Sequence, residues 1–335
     1  MLDVIVMGSA TLDVFLELES GSQQDKQRIC FERGGKFLVE NLQIAIGGGG
    51  TNVAVGLARL GYKVAYLGKI GSQSNAQRVL QELKQNKVRT QLINTGQGRT
   101  GYSVILNADH GDRSILAFKG SNNDLRWEDI PQRGLKARWL YASSLVGQSW
   151  ETLKKVVVHC HKLGMGICFN PSSYLVQKGA KFLQPVLRYT NVLILNRDEA
   201  KLLVNSIKVR GKAAAITSLK DLFKALHALG PIVVCITEGK QGVHVSNGSN
   251  YHTIPANKRI KPVDTTGAGD AFGVGFLAGI LARYEPVRVA QMGAINAESV
   301  IRHYGTKAGL LTWKEMKQAL KKLKQSGSKI SVKPL

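Results

Sequence analysis

The chain opens with an almost unbroken apolar stretch, Leu2 to Met7, closed by Gly8. A half-exposed strand alternates apolar and polar positions, so a continuous run predicts a strand buried on both faces of a parallel sheet. From Asp13 to Ile46 the pattern stays strand-like but turns more polar, with breaks at Gly21 and Gly34-Gly35, which predicts an excursion from the main sheet. Gly47 to Gly50 then lead into TNVAVGLARLG, which has helical spacing and a stop at Gly61, followed by the strand KVAYLG and the helix SNAQRVLQELKQN. A second excursion, GRTGYSVILNADHGDRSILAF, has two β-rich runs flanking Asp109 to Asp112 and reads as a hairpin. Strands RWLYAS, GICFN, NVLILN and IVVCIT follow with helical segments between them, then a hairpin (GVHVSN, NYHTIP) and three helices beginning after Asp264, at Val287 and at Thr312. The rhythm predicts an α/β fold, a doubly wound, mostly parallel sheet flanked by helices and formed by residues 1–12, 47–98 and 119–335. Residues 13–46 and 99–118 are expected to make a small β-rich lid.

Composition narrows the class without changing that outline. With 335 residues, 44% of them hydrophobic, the chain suits one large α/β domain or two average ones and excludes disorder, collagen and a disulfide scaffold. No apolar run approaches the ~18 residues of a membrane-spanning helix, and Asp3 stands where a signal peptide carries Lys or Arg, so a soluble, cytoplasmic protein without a membrane partner is expected. Cys30, Cys160, Cys168 and Cys235 form no CxxC pair and read as core thiols. The run His159, Cys160, His161 sits in a helical pattern, where i and i+2 face different ways, which argues against a metal site. Lys+Arg 46 against Asp+Glu 23 leaves a net charge of +23. The basic residues are spread over the chain, with a local excess in WKEMKQALKKLKQ and KISVKPL, and no zinc-finger, heptad or RNP-like pattern accompanies them. Solvated faces with weak, nonspecific attraction to polyanions fit this better than sequence-specific nucleic-acid binding.

The densest chemistry lies in DTTGAGDAFGVGFLAGIL, Asp264 to Leu281. The turn delivers the chain into a helix, so the free amides of Gly267, Ala268 and Gly269 can converge on an anion, and Asp270 at that mouth can take a proton from a hydroxyl. Taken alone, the same residues also fit a plain turn with an N-terminal carboxylate. Asn196 and Glu199, three residues apart at a helix start, share a face; the competing reading is a helix cap with a surface Glu. No GxxxxGK[ST] segment exists, so this is no Walker A site.

In order along the chain, these segments resemble the signatures of the ribokinase-like (PfkB) carbohydrate kinases. GGGGTNVAVGLARLGYKVAYLGKIG resembles the first signature and DTTGAGDAFG the second; NVLILNRDEAKLL resembles the AsnxxGlu motif and VVCITEGKQGVHV the Thr-x-Gly-x-x-Gly turn. The resemblance implies a ribokinase-like fold and transfer of the ATP γ-phosphoryl group with Mg²⁺. It makes Asp270 the base and Gly267, Ala268 and Gly269 the anion hole. Asn196 would reach the nucleotide phosphates, Glu199 would hold Mg²⁺ through water, Thr237, Gly239 and Gly242 would form the nucleotide-side turn, and Asn296 would lie beside adenine. Asp13, Gly48 and Asn52 would bind the acceptor. A K⁺ ion would be held by Asp264, Thr266, Val300, His303 and Gly305, although Gly309 stands where the family often has a side-chain ligand. In some members the lid also forms a homodimer interface. This chain has Gly49 where ribokinase proper has Lys, and WLYASSLVG lacks that enzyme's sugar-binding Glu, which counts against ribose. The leading acceptor is then a ketohexose, pentose or sugar acid, and the alternative is a nucleoside of adenosine type; Gly120 to Asn123 do not decide between them. A nucleic-acid-associated protein that kept the fold is the third reading, and the intact Asp270 and AsnxxGlu motif count against it.

Overall fold

A computed structural model describes residues 1–18, 24–25, 28–107, 113–209, 212–213, 216–325 and 330–335. Leaving two-residue bridges aside, the chain begins β1 (Leu2–Met7), β2 (Thr11–Leu18), β3 (Val39–Gly47), α1 (Gly49–Arg59), β4 (Val64–Ile70), α2 (Ser74–Gln85), β5 (Arg89–Thr95), β6 (Gly101–Asn107) and β7 (Arg113–Phe118). It continues with β8 (Ala137–Ser143), α3 (Gln148–Lys162), β9 (Gly166–Asn170), α4 (Ser173–Val176), α5 (Ala180–Leu187), β10 (Val192–Asn196), α6 (Arg197–Asn205), α7 (Leu219–Ala228) and β11 (Val233–Thr237). The last elements are β12 (Val243–Ser246), β13 (Asn250–Ile254), α8 (Ala268–Leu281), α9 (Pro286–Val300), α10 (Trp313–Gln325) and β14 (Ser331–Pro334).

Ten strands form one sheet in the order β14-β13-β12-β11-β10-β9-β8-β1-β4-β5. It is parallel from β5 to β11 and antiparallel beyond. Side chains alternate across it: Val4 and Val6 of β1 enter the core under α1, α8 and α9, whereas Ile5 and Met7 enter the core under α3, α5 and α7. All four are fully buried, each worth about 1.5–3 kcal/mol of transfer free energy. The chain leaves β1 toward β4 on one side and later returns to β8 on the other, so the sheet's switch point lies at the carboxyl end of β1, where ligands bind in such sheets.

The two excursions build a separate four-stranded sheet, β3-β2-β6-β7. Thr11 at the root of β2 pairs with both Gly47 and Gly101, anchoring this sheet directly above the switch point. The face opposite Asp13 leaves Leu42, Ile44, Leu116 and Phe118 exposed. The expected breaks at Gly21 and at Asp109 to Asp112 lie outside the described residues.

Some expectations are corrected. KISVKPL, read as a basic tail, supplies the edge strand β14 against β13. Cys30 is exposed, because it lies in the polar first excursion, while the other cysteines are buried. In α3, Cys160 faces inward and the flanking histidines diverge, His159 against Trp127 and His161 against Tyr189. Among the described residues no helix is long and apolar enough to cross a membrane.

Candidate active site

The glycine-rich segment touches the end of β1 so closely that side chains would not fit. A Cβ on Gly8 would lie 2.8 Å from the Gly50 Cα and from the Ser143 Cβ. Gly48 caps α1 at φ 96, a conformation that favours glycine, and the Gly50 amide donates to the Ser9 carbonyl at 3.0 Å. This packing sets Asp13, the third residue of β2, against the Gly47 backbone, where any Cβ would overlap its carboxylate. Asp13 is 6% exposed; it accepts the Thr11 hydroxyl at 2.7 Å and the Ser103 hydroxyl. Burial raises its pKa, and those hydroxyls together with Lys307 and Lys119 oppose the rise.

Asp270 is the third residue of α8, whose cap Gly267 has φ 79. The Ala271 amide bonds the Gly267 carbonyl at 2.8 Å, so the amides before it lack partners within the helix; that of Ala268 leans on the Thr265 carbonyl at 3.3 Å. The Asn52 side-chain amide donates to Asp270 Oδ2 at 2.8 Å, and the Thr306 hydroxyl donates to Asn52 Oδ1 at 2.9 Å. Asn52 therefore orients the carboxylate and keeps its second amide hydrogen. Thr306 in turn packs on Gly267, where a Cβ would approach its own to 2.8 Å. Asp270 Oδ1 faces Gly49, and a Cβ there would come within 3.2 Å of it. The absent side chain at position 49 leaves that oxygen open. Burial pushes the Asp270 pKa up, Asn52 and Lys307 pull it down, and Asp13 adds to the rise.

Lys307 is the residue that motif reading missed. It is 8% exposed, pairs with Glu82 at 2.9 Å and donates to the Ile46 carbonyl. Burial lowers its pKa, while Glu82, Asp13 and Asp270 sustain its charge. It is thus a buried cation in contact with Glu82 and within electrostatic reach of Asp13 and Asp270. The one signal available was a lysine inside the Gly- and Leu-rich stretch GTKAGLL.

Further along the carboxyl edge, Asn196 ends β10 and sits beside Thr237, which ends β11. Asn196 Oδ1 accepts the Glu199 amide at 2.8 Å and Glu199 Oε2 accepts the Asn196 amide at 3.0 Å, a reciprocal helix cap. Ser173 donates to the other Glu199 oxygen at 3.1 Å, and burial raises the Glu199 pKa. The Ser173 amide is a third donor to this carboxylate, which leaves one lone pair for a water or metal-bound water. Gly239 and Gly242 have φ 49 and 104, the conformations that make the next turn. Beneath it lies a cluster that sequence reasoning did not find, Arg197 and His244 on Glu238 Oε2 at 3.2 and 3.0 Å.

One expectation for this half is corrected. Asn296 is fully buried, its amide donating to the Ala271 carbonyl at 2.7 Å and accepting the Leu311 amide at 3.2 Å. It braces α9 against α8 and does not face the cleft, because the helical phase turns it inward. The residues expected to hold K⁺ are brought together. Asp264 accepts the Thr266 amide and hydroxyl at 2.8 and 2.6 Å and the Gly305 amide at 3.0 Å, and the Val300 carbonyl accepts the His303 amide.

A carboxylate at the glycine-capped mouth of a helix, set over the switch point of a parallel sheet and under a second sheet, is the arrangement of ribokinase-fold kinases. A ribokinase structure from Thermotoga maritima superposes with a TM-score of 0.81 at 21% identity, covering 96% of this chain and 100% of that one. A nucleoside kinase from Burkholderia thailandensis, in complex with inosine, gives 0.78 at 17% identity over 95% of this chain and 98% of its own. The chain belongs to the pfkB family of carbohydrate kinases, whose profile matches residues 2–313. A ribokinase of Bacillus subtilis (strain 168) is 32% identical over 327 residues, 96% of this chain and 100% of the relative.

Proposed function

We propose that the protein transfers the γ-phosphoryl group of ATP to a hydroxyl of a small sugar, with Asp270 as general base. The observation that carries this is the asymmetry of Asp270, one oxygen fixed by Asn52 and the other open beside Gly49. In the step, the acceptor hydroxyl gives its proton to Asp270 Oδ1 while its oxygen bonds the γ-phosphorus. The bond from that phosphorus to the β,γ-bridging oxygen breaks, and ADP leaves with the electron pair. The α8 mouth at Gly267, Ala268 and Gly269 steadies the charge on the moving group. Asp13 and Gly48 line the acceptor side; Asn196, Thr237, Gly239 and Gly242 line the nucleotide side. Glu199 and Asn196 are the residues that would hold Mg²⁺, through water, and the ion when bound neutralises phosphate charge.

Residues 13–46 and 99–118 act as a lid over the acceptor, excluding water that would waste ATP. The lid's exposed Leu42, Ile44, Leu116 and Phe118 are proposed to pack on a second copy of the chain, and a monomer in sedimentation equilibrium at micromolar concentration would refute that. The +23 charge draws ATP toward the cleft in the cytoplasm. A nucleoside acceptor is the second reading, favoured by the fold shared with the inosine-bound kinase. A panel of sugars and nucleosides assayed for ADP release tests the whole scheme. One or more acceptors are expected to raise ADP release above the acceptor-free rate, and a panel that never does so would overturn it.

A further inference from the structure

We propose that Lys119 recognises an anionic group on the acceptor, so that the preferred substrate carries a carboxylate or a phosphate in addition to the hydroxyl that is phosphorylated. This deepens the kinase reading above and rests on it.

Lys119 is fixed at the mouth of the acceptor side by its neighbour. Asn122 bonds the turn between β1 and β2 through both ends of its amide, donating to the Ala10 carbonyl and accepting the Ala10 amide, each at 2.8 Å. The same side chain donates to the Lys119 carbonyl at 2.9 Å, which ties the Lys119 backbone to the turn that delivers Asp13. From there the ammonium reaches 4.6 Å from the centre of the Tyr174 ring, at the start of α4 just beyond the end of β9. Lys119 thus spans the carboxyl edge of the sheet from the exit of β1 to the exit of β9, the edge on which Asp13 and Asp270 stand.

Its charge has no close counterpart. Lys307 has Glu82 at 2.9 Å and Lys69 has Asp129 at 3.1 Å, yet among the described residues no carboxylate lies within 4.0 Å of Lys119. Asp13 attracts it only from beyond contact distance, and partial burial lowers its pKa. On the same edge, Ser143 ends β8 and Ser172 donates to Ser144 at 2.7 Å. A half-buried ammonium over an aromatic face, with no carboxylate in contact, is complementary to an anion. A neutral polyol would leave that charge uncompensated.

The test uses acceptors in matched pairs that differ by one group: sugars against the corresponding sugar acids, and sugars or nucleosides against their monophosphates. The unmodified protein is expected to favour the anionic member of one pair by at least tenfold in kcat/KM, and the winning pair identifies carboxylate or phosphate. In Lys119→Met that ratio is expected to fall by about 10- to 100-fold, the scale of a charge-assisted hydrogen bond, chiefly through KM. Lys119→Arg is expected to keep most of it. The KM for ATP and the melting temperature report whether either variant is misfolded. Turnover of neutral acceptors alone, or an unchanged ratio in Lys119→Met, would overturn the inference and leave the kinase reading standing. No turnover with any acceptor would remove both.

Discussion

The two halves of the cleft are held by different kinds of contact. On the proposed acceptor side, Asp13, Asn52, Thr306 and Lys307 are all less than a tenth exposed, and each is bound to residues distant in the chain; Thr306 and Asn52 stand 254 positions apart. On the proposed nucleotide side, Asn196 and Glu199 satisfy each other across three residues and the glycines set local turns. The acceptor side therefore stores electrostatic free energy, since two buried carboxylates share one buried cation, whereas the nucleotide side is backbone geometry close to solvent. Changes in the first should alter chemistry and stability together; changes in the second should alter ligand dependence.

The sharpest break in that comparison is Asp270→Asn. Removing the base is expected to lower kcat by about 10²-fold or more with little change in the KM for ATP, measured by steady-state kinetics with the preferred acceptor. Stability should move the opposite way. Burial raises the folded pKa of Asp270 above its unfolded value, so its contribution is present at low pH and lost as pH rises through the folded value. Asn removes that loss and can still accept from Asn52, so the variant should melt higher than the unmodified protein at neutral pH and not under acidic conditions. Near-normal kcat would mean that another group is the base.

Lys307→Met probes the same network one contact away. Lys307 stabilises the ionised form of Asp270, so without it the Asp270 pKa climbs further and the base is ionised only at higher pH. The acid limb of the kcat/KM profile should shift toward higher pH, costing roughly tenfold in rate on that limb. Lys307→Arg should restore much of the profile. A profile that falls uniformly, with an unmoved limb, would assign Lys307 a purely structural role.

What the sequence revealed follows the same division. Gly48, Gly267, Gly239 and Gly242 are legible because a positive φ at each leaves glycine as the residue that fits, and the Asn196–Glu199 cap is legible because its partners are three residues apart. The order of βα units was legible too, because strands buried on both faces are continuously apolar. Lys307, Thr306, Lys119 and the Arg197–Glu238–His244 cluster were not, since their meaning lies in contacts that close only when the chain folds. Asn296 was misplaced for a related reason: the spacing of a helix does not say which of its faces meets α8. The strand in KISVKPL was not legible because the segment stood out only for its lysines, while pairing with β13 is a backbone property.

Glu199→Gln tests the nucleotide side and carries the smallest expected effect. Glu199 already caps α6 through one oxygen and accepts from Ser173 through the other, so its carboxylate has a structural task that a glutamine can partly take over. A hard cation that keeps its waters loses one outer partner, not a direct ligand, so the Mg²⁺ concentration for half-maximal rate should rise by about three- to tenfold. The acceptor KM should stay nearly unchanged, because Asp13 lies at the other end of the carboxyl edge. Because burial raises the Glu199 pKa, the carboxylate is ionised over less of the acidic range than an exposed one. The difference between the two proteins should therefore narrow as pH falls and Glu199 takes up a proton. Titrating Mg²⁺ at fixed ATP, at neutral and at acidic pH, measures both effects. Coincident Mg²⁺ curves at neutral pH would leave Glu199 as a helix cap alone and move the metal's outer partner elsewhere along the edge.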